Sequence, residues 1–193
     1  MRERPIIFSG KMVKAILNDR KTQTRRVVKL HPALLPRASV LPGAFWKDDR
    51  LWVRETWAKI FDTYPYDEEN PSHVEYKADT GAKYPGGWPD DMGDDPECLK
   101  WKSPIYMSRL DSRITLQVTD VRIERLQEIS EEDAINEGVS ADEGDRFLAG
   151  PDRIMDPKEH FKTIWNSIHK KKDCWEDNPY VWVITFYNRR PES

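Results

Sequence analysis

Apolar positions along this chain switch between a period near two and a period near 3.6. Pro5-Ile6-Ile7-Phe8 is a short apolar run bounded by charge, the pattern of a buried strand. From Lys11 to Asp19, residues Met12, Val13, Ile16 and Leu17 fall on one stripe, which predicts an amphipathic helix. Asn18 and Asp19 suit its end, because their short polar side chains tolerate left-handed backbone. Asp49 to Ile60 predicts a strand in which Leu51, Val53 and Thr56 interleave with Trp52, Arg54 and Trp57. Arg113 to Leu126 predicts a longer one. There Ile114, Leu116 and Val118 share a face before the apolar phase slips to Val121 and Ile123, so a bulge is expected near Thr119-Asp120.

Two further helices carry start signals. Ser130 opens one, with Asp133 at the capping-box position and Gly138 as its stop. Asp156-Pro157 opens the other, with Glu159 at the capping-box position and Phe161, Ile164, Trp165 and Ile168 as its expected buried stripe. Tyr180 to Tyr187 is dense in β-branched and aromatic residues and predicts a central buried strand. Between these elements, residues 31–48 are Pro-rich and irregular. From about 62 to 102, Pro, Gly and Asp dominate and the periodicity fades, so this stretch is expected to be an acidic insertion. Val74-Glu75-Tyr76-Lys77 is a candidate strand within it, and Trp88 and Trp101 are expected to fold back onto the body. Strands outnumber helices without regular alternation. The expected fold is α+β: one domain over 1–193, a small mixed β-barrel with flanking helices.

Composition narrows the class. The 193 residues are 38% hydrophobic, no apolar run reaches the ~20 residues of a membrane span, and the N-terminus lacks the apolar core of a secretory signal. Cys98 and Cys174 are far apart and outside any Cys-x-x-Cys spacing, so reduced thiols and a cytoplasmic location are expected, with no membrane partner. The net charge of −3 hides an asymmetry: residues 1–30 carry +7 and leave −10 for the remainder. Such a split points to an anionic partner at the basic end, nucleic acid being the commonest, or to internal pairing with the acidic remainder. His31, His73, His160 and His169 show no zinc-ligand spacing, and neither a G-x-S-x-G nor a phosphate-binding Gly-Lys loop occurs. No metal or other cofactor is expected.

The candidate chemistry lies in Arg20-Lys21-Thr22-Gln23-Thr24-Arg25-Arg26, directly after the first helix. Cations at a helix C-terminus are favoured by its dipole, and the run can serve simply to grip phosphate or carboxylate. A hydroxyl beside a lysine is also a nucleophile–base pair, provided the lysine sheds its proton; crowding by Arg20, Arg25 and Arg26 pushes it that way. In extended backbone Thr22, Thr24 and Arg26 share one face and Lys21, Gln23 and Arg25 the other. Trp46, Trp52 and Trp57 are available either as core or as stacking platforms for bases.

The segment Asp19-x-Lys21-Thr22-x-Thr24-x-Arg26 resembles the G-x-K-x-x-x-x-R signature of ASCH domains, small β-barrels related to the PUA fold, with Asp19 where the signature has glycine. Asp49-Arg50-Leu51-Trp52-Val53-Arg54-Glu55-Thr56-Trp57, the strand Arg113–Leu126, the helix from Ser130 to Gly138 and Trp182-Val183-Ile184-Thr185-Phe186 extend the resemblance, which is nearest to the longer ASCH proteins of bacteriophages and prophages. It is more distantly similar to small bacterial amidohydrolases that deacetylate N4-acetylcytidine with a Lys, a Thr and a Glu. That resemblance implies Thr24 as nucleophile, Lys21 as its base and Glu137 as an acid/base or orienting group. Arg20, Thr22, Arg25, Arg26, Trp52, Arg54 and Glu55 are then the expected substrate or nucleic-acid contacts. The implied activity is hydrolysis of an acylated cytidine, with single-stranded RNA or a modified nucleoside as partner. The family also implies two alternatives: a non-catalytic RNA- or modified-base-binding module, and a metal-independent ribonuclease using the same cleft.

Overall fold

A computed structural model describes residues 1–29, 44–60, 73–80, 100–139 and 156–190. The elements in chain order are β1 (Glu3–Ile7), α1 (Gly10–Leu17), β2 (Gln23–Val27), β3 (Arg50–Arg54), β4 (Trp57–Ile60), β5 (His73–Tyr76) and α2 (Lys77–Thr80). They continue with β6 (Thr115–Arg125), α3 (Glu131–Asn136), α4 (Pro157–Ile168) and β7 (Tyr180–Asn188), plus short 3-10 turns at Pro104–Tyr106 and Leu126–Glu128. Five strands form one sheet in the order β1-β3-β6-β7-β2, and β4 pairs with β5 separately.

The architecture is mixed α+β, as expected, but the sheet is open, which corrects the expected barrel. Closure requires the two end strands to share ladder hydrogen bonds at a consistent stagger. Among the described residues β1 and β2 end the order, and each has a single strand neighbour. Alternation along the sequence sets which residues are strand and which face they present; it does not set which strands pair. The strand expected over Asp49–Ile60 is likewise two strands. β3 joins the large sheet and β4 leaves it to pair antiparallel with β5, the break falling at Glu55-Thr56. No described helix is long and apolar enough to cross a membrane.

The chain groups into two compact units. The first comprises Met1–Arg2, Ala15–Arg50 and Gln117–Asn188. Its core joins Leu126, Ile129 and Ala134 to Phe161 and Trp165 of α4 and to Val181 and Val183 of β7. Both predicted N-caps are made: the Ser130 hydroxyl accepts from Asp133 N–H at 3.0 Å, and the Asp156 carboxylate accepts from Lys158 N–H at 2.7 Å. On α4 the buried residues are His160, Phe161 and Trp165, while Ile164 is half-buried and Ile168 is 58% exposed, which corrects the expected stripe at its C-terminal end. β7 carries four consecutive buried residues, Val181 to Ile184, as a strand with neighbours on both edges should.

The second unit comprises Glu3–Lys14, Leu51–Leu116 and Arg189–Ser193. Its hairpin pairs Trp57 with Tyr76 and Ile60 with His73, so the strand expected at Val74–Lys77 is present one residue earlier. Trp101 packs on Ala58 and Ile60, and Trp57 and Lys102 exchange backbone hydrogen bonds of 3.4 and 2.7 Å. The end of the acidic stretch therefore returns to this unit's core, while Trp88 lies outside the described residues. At the hairpin's base Arg113 donates to both Glu55 oxygens at 3.0 and 3.1 Å, ion-pairs with Asp79 and lies 4.0 Å from the Tyr76 ring.

Candidate active site

The helix end aims the basic run. Arg20 and Lys21 N–H both donate to Ala15 C=O, at 2.9 and 3.1 Å, across a turn in which Asp19 has φ of +55°. That is left-handed backbone, the conformation for which glycine is usual and Asp among the better substitutes. The chain then crosses to the end of α3, where Lys21 and Glu137 form an antiparallel bridge. Thr22 is pinned there as well: its N–H donates to Asn136 C=O at 2.9 Å and its hydroxyl to Asn136 Oδ1 at 3.3 Å.

Lys21 is 2% exposed and reaches three acceptors. Its Nζ donates to Gln23 C=O at 2.8 Å, to Glu137 C=O at 2.7 Å and to Glu137 Oε2 at 2.6 Å. Burial pulls the ammonium below the ordinary lysine range; Glu137 opposes this through charge and hydrogen bond, and the charges of Arg26 and Arg25 add to it. Gly138, with φ of +85°, lets the chain turn against this lysine. A Cβ there would lie 3.0 Å from Lys21 Cβ and 3.1 Å from Ala15 Cβ, tighter than packed carbons normally come.

Strand alternation divides the rest. Arg25 lies opposite Val183, on the face that carries the α4 core, and its guanidinium is 5.8 Å from the Phe161 ring. It is fully buried and meets Glu124 at 2.6 Å, Asp133 at 2.7 Å, Gln23 Oε1 at 2.7 Å and Glu137 Oε1 at 3.4 Å. Asp133 also accepts from Gln23 Nε2 at 3.1 Å and from Arg122 at 2.6 Å. Three carboxylates, two arginines and a lysine therefore form one network on this face. Thr24 pairs across from Ile184 and Arg26 from Trp182, which turns them to the other face. Thr22 O accepts from Phe186 N–H at 2.8 Å, so the next carbonyl, that of Gln23, points to the outer edge of β2. The Lys21 amine accordingly sits at that edge, one residue from Thr24. Thr24 is 2% exposed. Arg26 is half-buried; burial lowers it and the nearby Glu137 opposes this, while His169 at the end of α4 is lowered first by its own burial, against Asp173, with a smaller push from Arg26.

The sequence-predicted residues therefore fall into groups. Lys21, Glu137 and Arg25 are joined by direct contacts, with Thr22 bonded beside them to Asn136. Thr24 and Arg26 follow on the same strand and Arg20 is exposed. Trp52, Arg54 and Glu55 belong to the second unit, where the Arg54 guanidinium covers the Trp52 ring at 4.6 Å and Glu55, 1% exposed, is held by Arg113. Burial pushes the Glu55 carboxyl above its ordinary range, against the pull of Arg113. Sequence reasoning missed Glu124, Arg122 and Asp133 as members of the lysine's surroundings. The signal was present: Arg122 and Glu124 alternate along β6 among apolar residues, charges that a sheet face keeps only when they are paired.

No protein-family model matches the chain, and no curated relative matches it. Among solved structures it is similar to one described as "High resolution crystal structure of ASCH domain from Lactobacillus crispatus JV V101", at 11% identity, over 97% of this chain and 79% of that one, with a TM-score of 0.43.

Proposed function

We propose that Lys21, Thr24 and Glu137 hydrolyse an acyl amide on a nucleobase, with an N4-acylated cytidine, free or in single-stranded RNA, as the substrate class. The observation that carries the reading is the 2.6 Å contact between the Lys21 amine and Glu137 in a site that lowers the lysine. A lowered lysine spends more of its time neutral, and only the neutral amine can take a proton. In the proposed reaction Thr24 Oγ1 attacks the acyl carbon as its proton passes to the Lys21 amine. Arg26 faces the developing oxyanion. The carbon–nitrogen bond then breaks, the base's exocyclic nitrogen takes the proton from Lys21, and an acyl-Thr24 ester remains. Water cleaves the ester, giving its proton to the lysine–glutamate pair and restoring the Thr24 hydroxyl. Glu137 holds the amine in place throughout, with Arg25 behind it.

The test is chromatographic detection of cytidine and acetate released from N4-acetylcytidine. Lys21→Ala and Thr24→Ala are each expected to lower kcat by about 10²–10⁴, the usual worth of a positioned base. The rate of the unaltered protein should rise with pH through a value below 10.5, because the active lysine is the deprotonated one and its range is lowered. Activity retained in both variants would sink the mechanism. Binding of the nucleoside without any product would sink hydrolysis and leave a recognition module.

A further inference from the structure

We propose a second binding site, a lysine-lined groove in the second unit that takes successive phosphates of a single nucleic-acid strand. The groove encloses about 280 Å³, and its described lining is Gly10, Lys11, Lys14, Thr56, Lys77 and Ala78. Three of these six residues are cationic and none is acidic. All six belong to the same compact unit.

The lysines are placed there by two different elements. α1 buries Val13, Ala15 and Ile16, so Lys11 and Lys14 project from its other, exposed face. Three residues apart, they are surface neighbours, with roughly 5–6 Å between their Cβ atoms. Lys77 is the first residue of α2, anchored by its N–H to Thr56 C=O at 3.0 Å, and its ammonium lies 5.9 Å from the Trp101 ring. The two helices approach closely: a Cβ added to Gly10 would stand 3.8 Å from Ala78 Cα. Solvated lysines on a convex face spread apart. Here three like-charged residues from separate elements line one concavity, which raises the local potential and favours an anion. The first-turn N–H groups of α1 add to that field. Ammonium groups are point charges that bind phosphate without requiring a fixed fork geometry. Lys11 and Lys14 also belong to the basic excess of the first thirty residues.

The experiment is fluorescence anisotropy of a labelled oligouridylate with the full chain at several salt concentrations. Each single-strand phosphate contact contributes about −0.7 to the slope of log K against log salt. Replacing Lys14 and Lys77 by Gln together should flatten that slope by about 1.4 and weaken binding about tenfold at low salt. Lys14→Arg with Lys77→Arg should restore both. Both positions are exposed, so the variants should melt as the parent does, and release of cytidine from the free acylated nucleoside should be unchanged. No binding by the parent, or an unaltered slope in the Gln variant, would overturn the groove. Competition by inorganic phosphate or uridine monophosphate as effective as by the oligonucleotide would overturn the strand. The binding readout needs no hydrolysis, so it stands or falls apart from the reaction proposed for Lys21.

Discussion

At the scale of single residues, the decisive feature is that Lys21 is buried and held by acceptors. An ammonium loses its hydration on burial, and only well-placed acceptors return that energy. Gln23 and Glu137 supply three. Removing one partner leaves the other as an uncompensated buried charge, so Lys21→Met and Glu137→Gln should each cost about 3–5 kcal/mol. The double variant should cost clearly less than the sum, because neither charge is then stranded. Urea denaturation of the four proteins measures this; additive losses would show that the pair is not coupled. The same residues mark how far the sequence could be read. Gln23, Thr24, Arg25 and Arg26 divide between two strand faces, as alternation requires. That Glu137 is the partner of Lys21 was implied only by family resemblance, since no local pattern links positions 116 apart.

At the scale of elements, local signals placed most helices and strands within a few residues. The capping residues Ser130 and Asp156 and the left-handed Asp19 and Gly138 act within a few peptide units, and such effects are visible in sequence. The break between β3 and β4 was not visible, because Glu55 lies in an otherwise alternating run. Its reason is tertiary: Glu55 is buried against Arg113, which also holds Asp79 and stacks on Tyr76. Burial works against the Arg113 charge, but hydrogen bonds to Asp79 and Glu55 raise it well above the ordinary arginine range. Arg113→Met should therefore strand Glu55 and destabilise the protein by about 3 kcal/mol, at the low end for a broken buried pair because Arg113 remains 25% in solvent. Since Glu55 is raised in the folded state, the variant's deficit should shrink as pH falls and the stranded carboxylate takes up a proton. A loss under about 1 kcal/mol, or one independent of pH, would show that the cluster does not hold the hairpin.

At the scale of the whole molecule, the open sheet leaves two end strands. Exposed ends invite pairing with another chain, and natural sheets blunt them with proline and charge. β1 carries Pro5 at its centre with Arg2, Glu3 and Arg4 around it, a pattern that suits an end strand and would be out of place in a central one. Pro5→Thr should restore a ladder donor and shift the protein toward larger species in size-exclusion chromatography with light scattering. An elution profile identical to the parent's would show that Pro5 does not guard the edge.

The sequence by itself determined the order and type of most elements, the caps that bound the helices, and the chemical identity of the basic run. Periodicity and capping act over a turn or two of chain. Tertiary structure alone decided that the sheet stays open, that Arg25 spends its charge on Glu124, Asp133 and Glu137, and that Lys21 loses its water beside Glu137. Desolvation and pairing depend on what the distant chain brings alongside, and no spacing along the sequence encodes that.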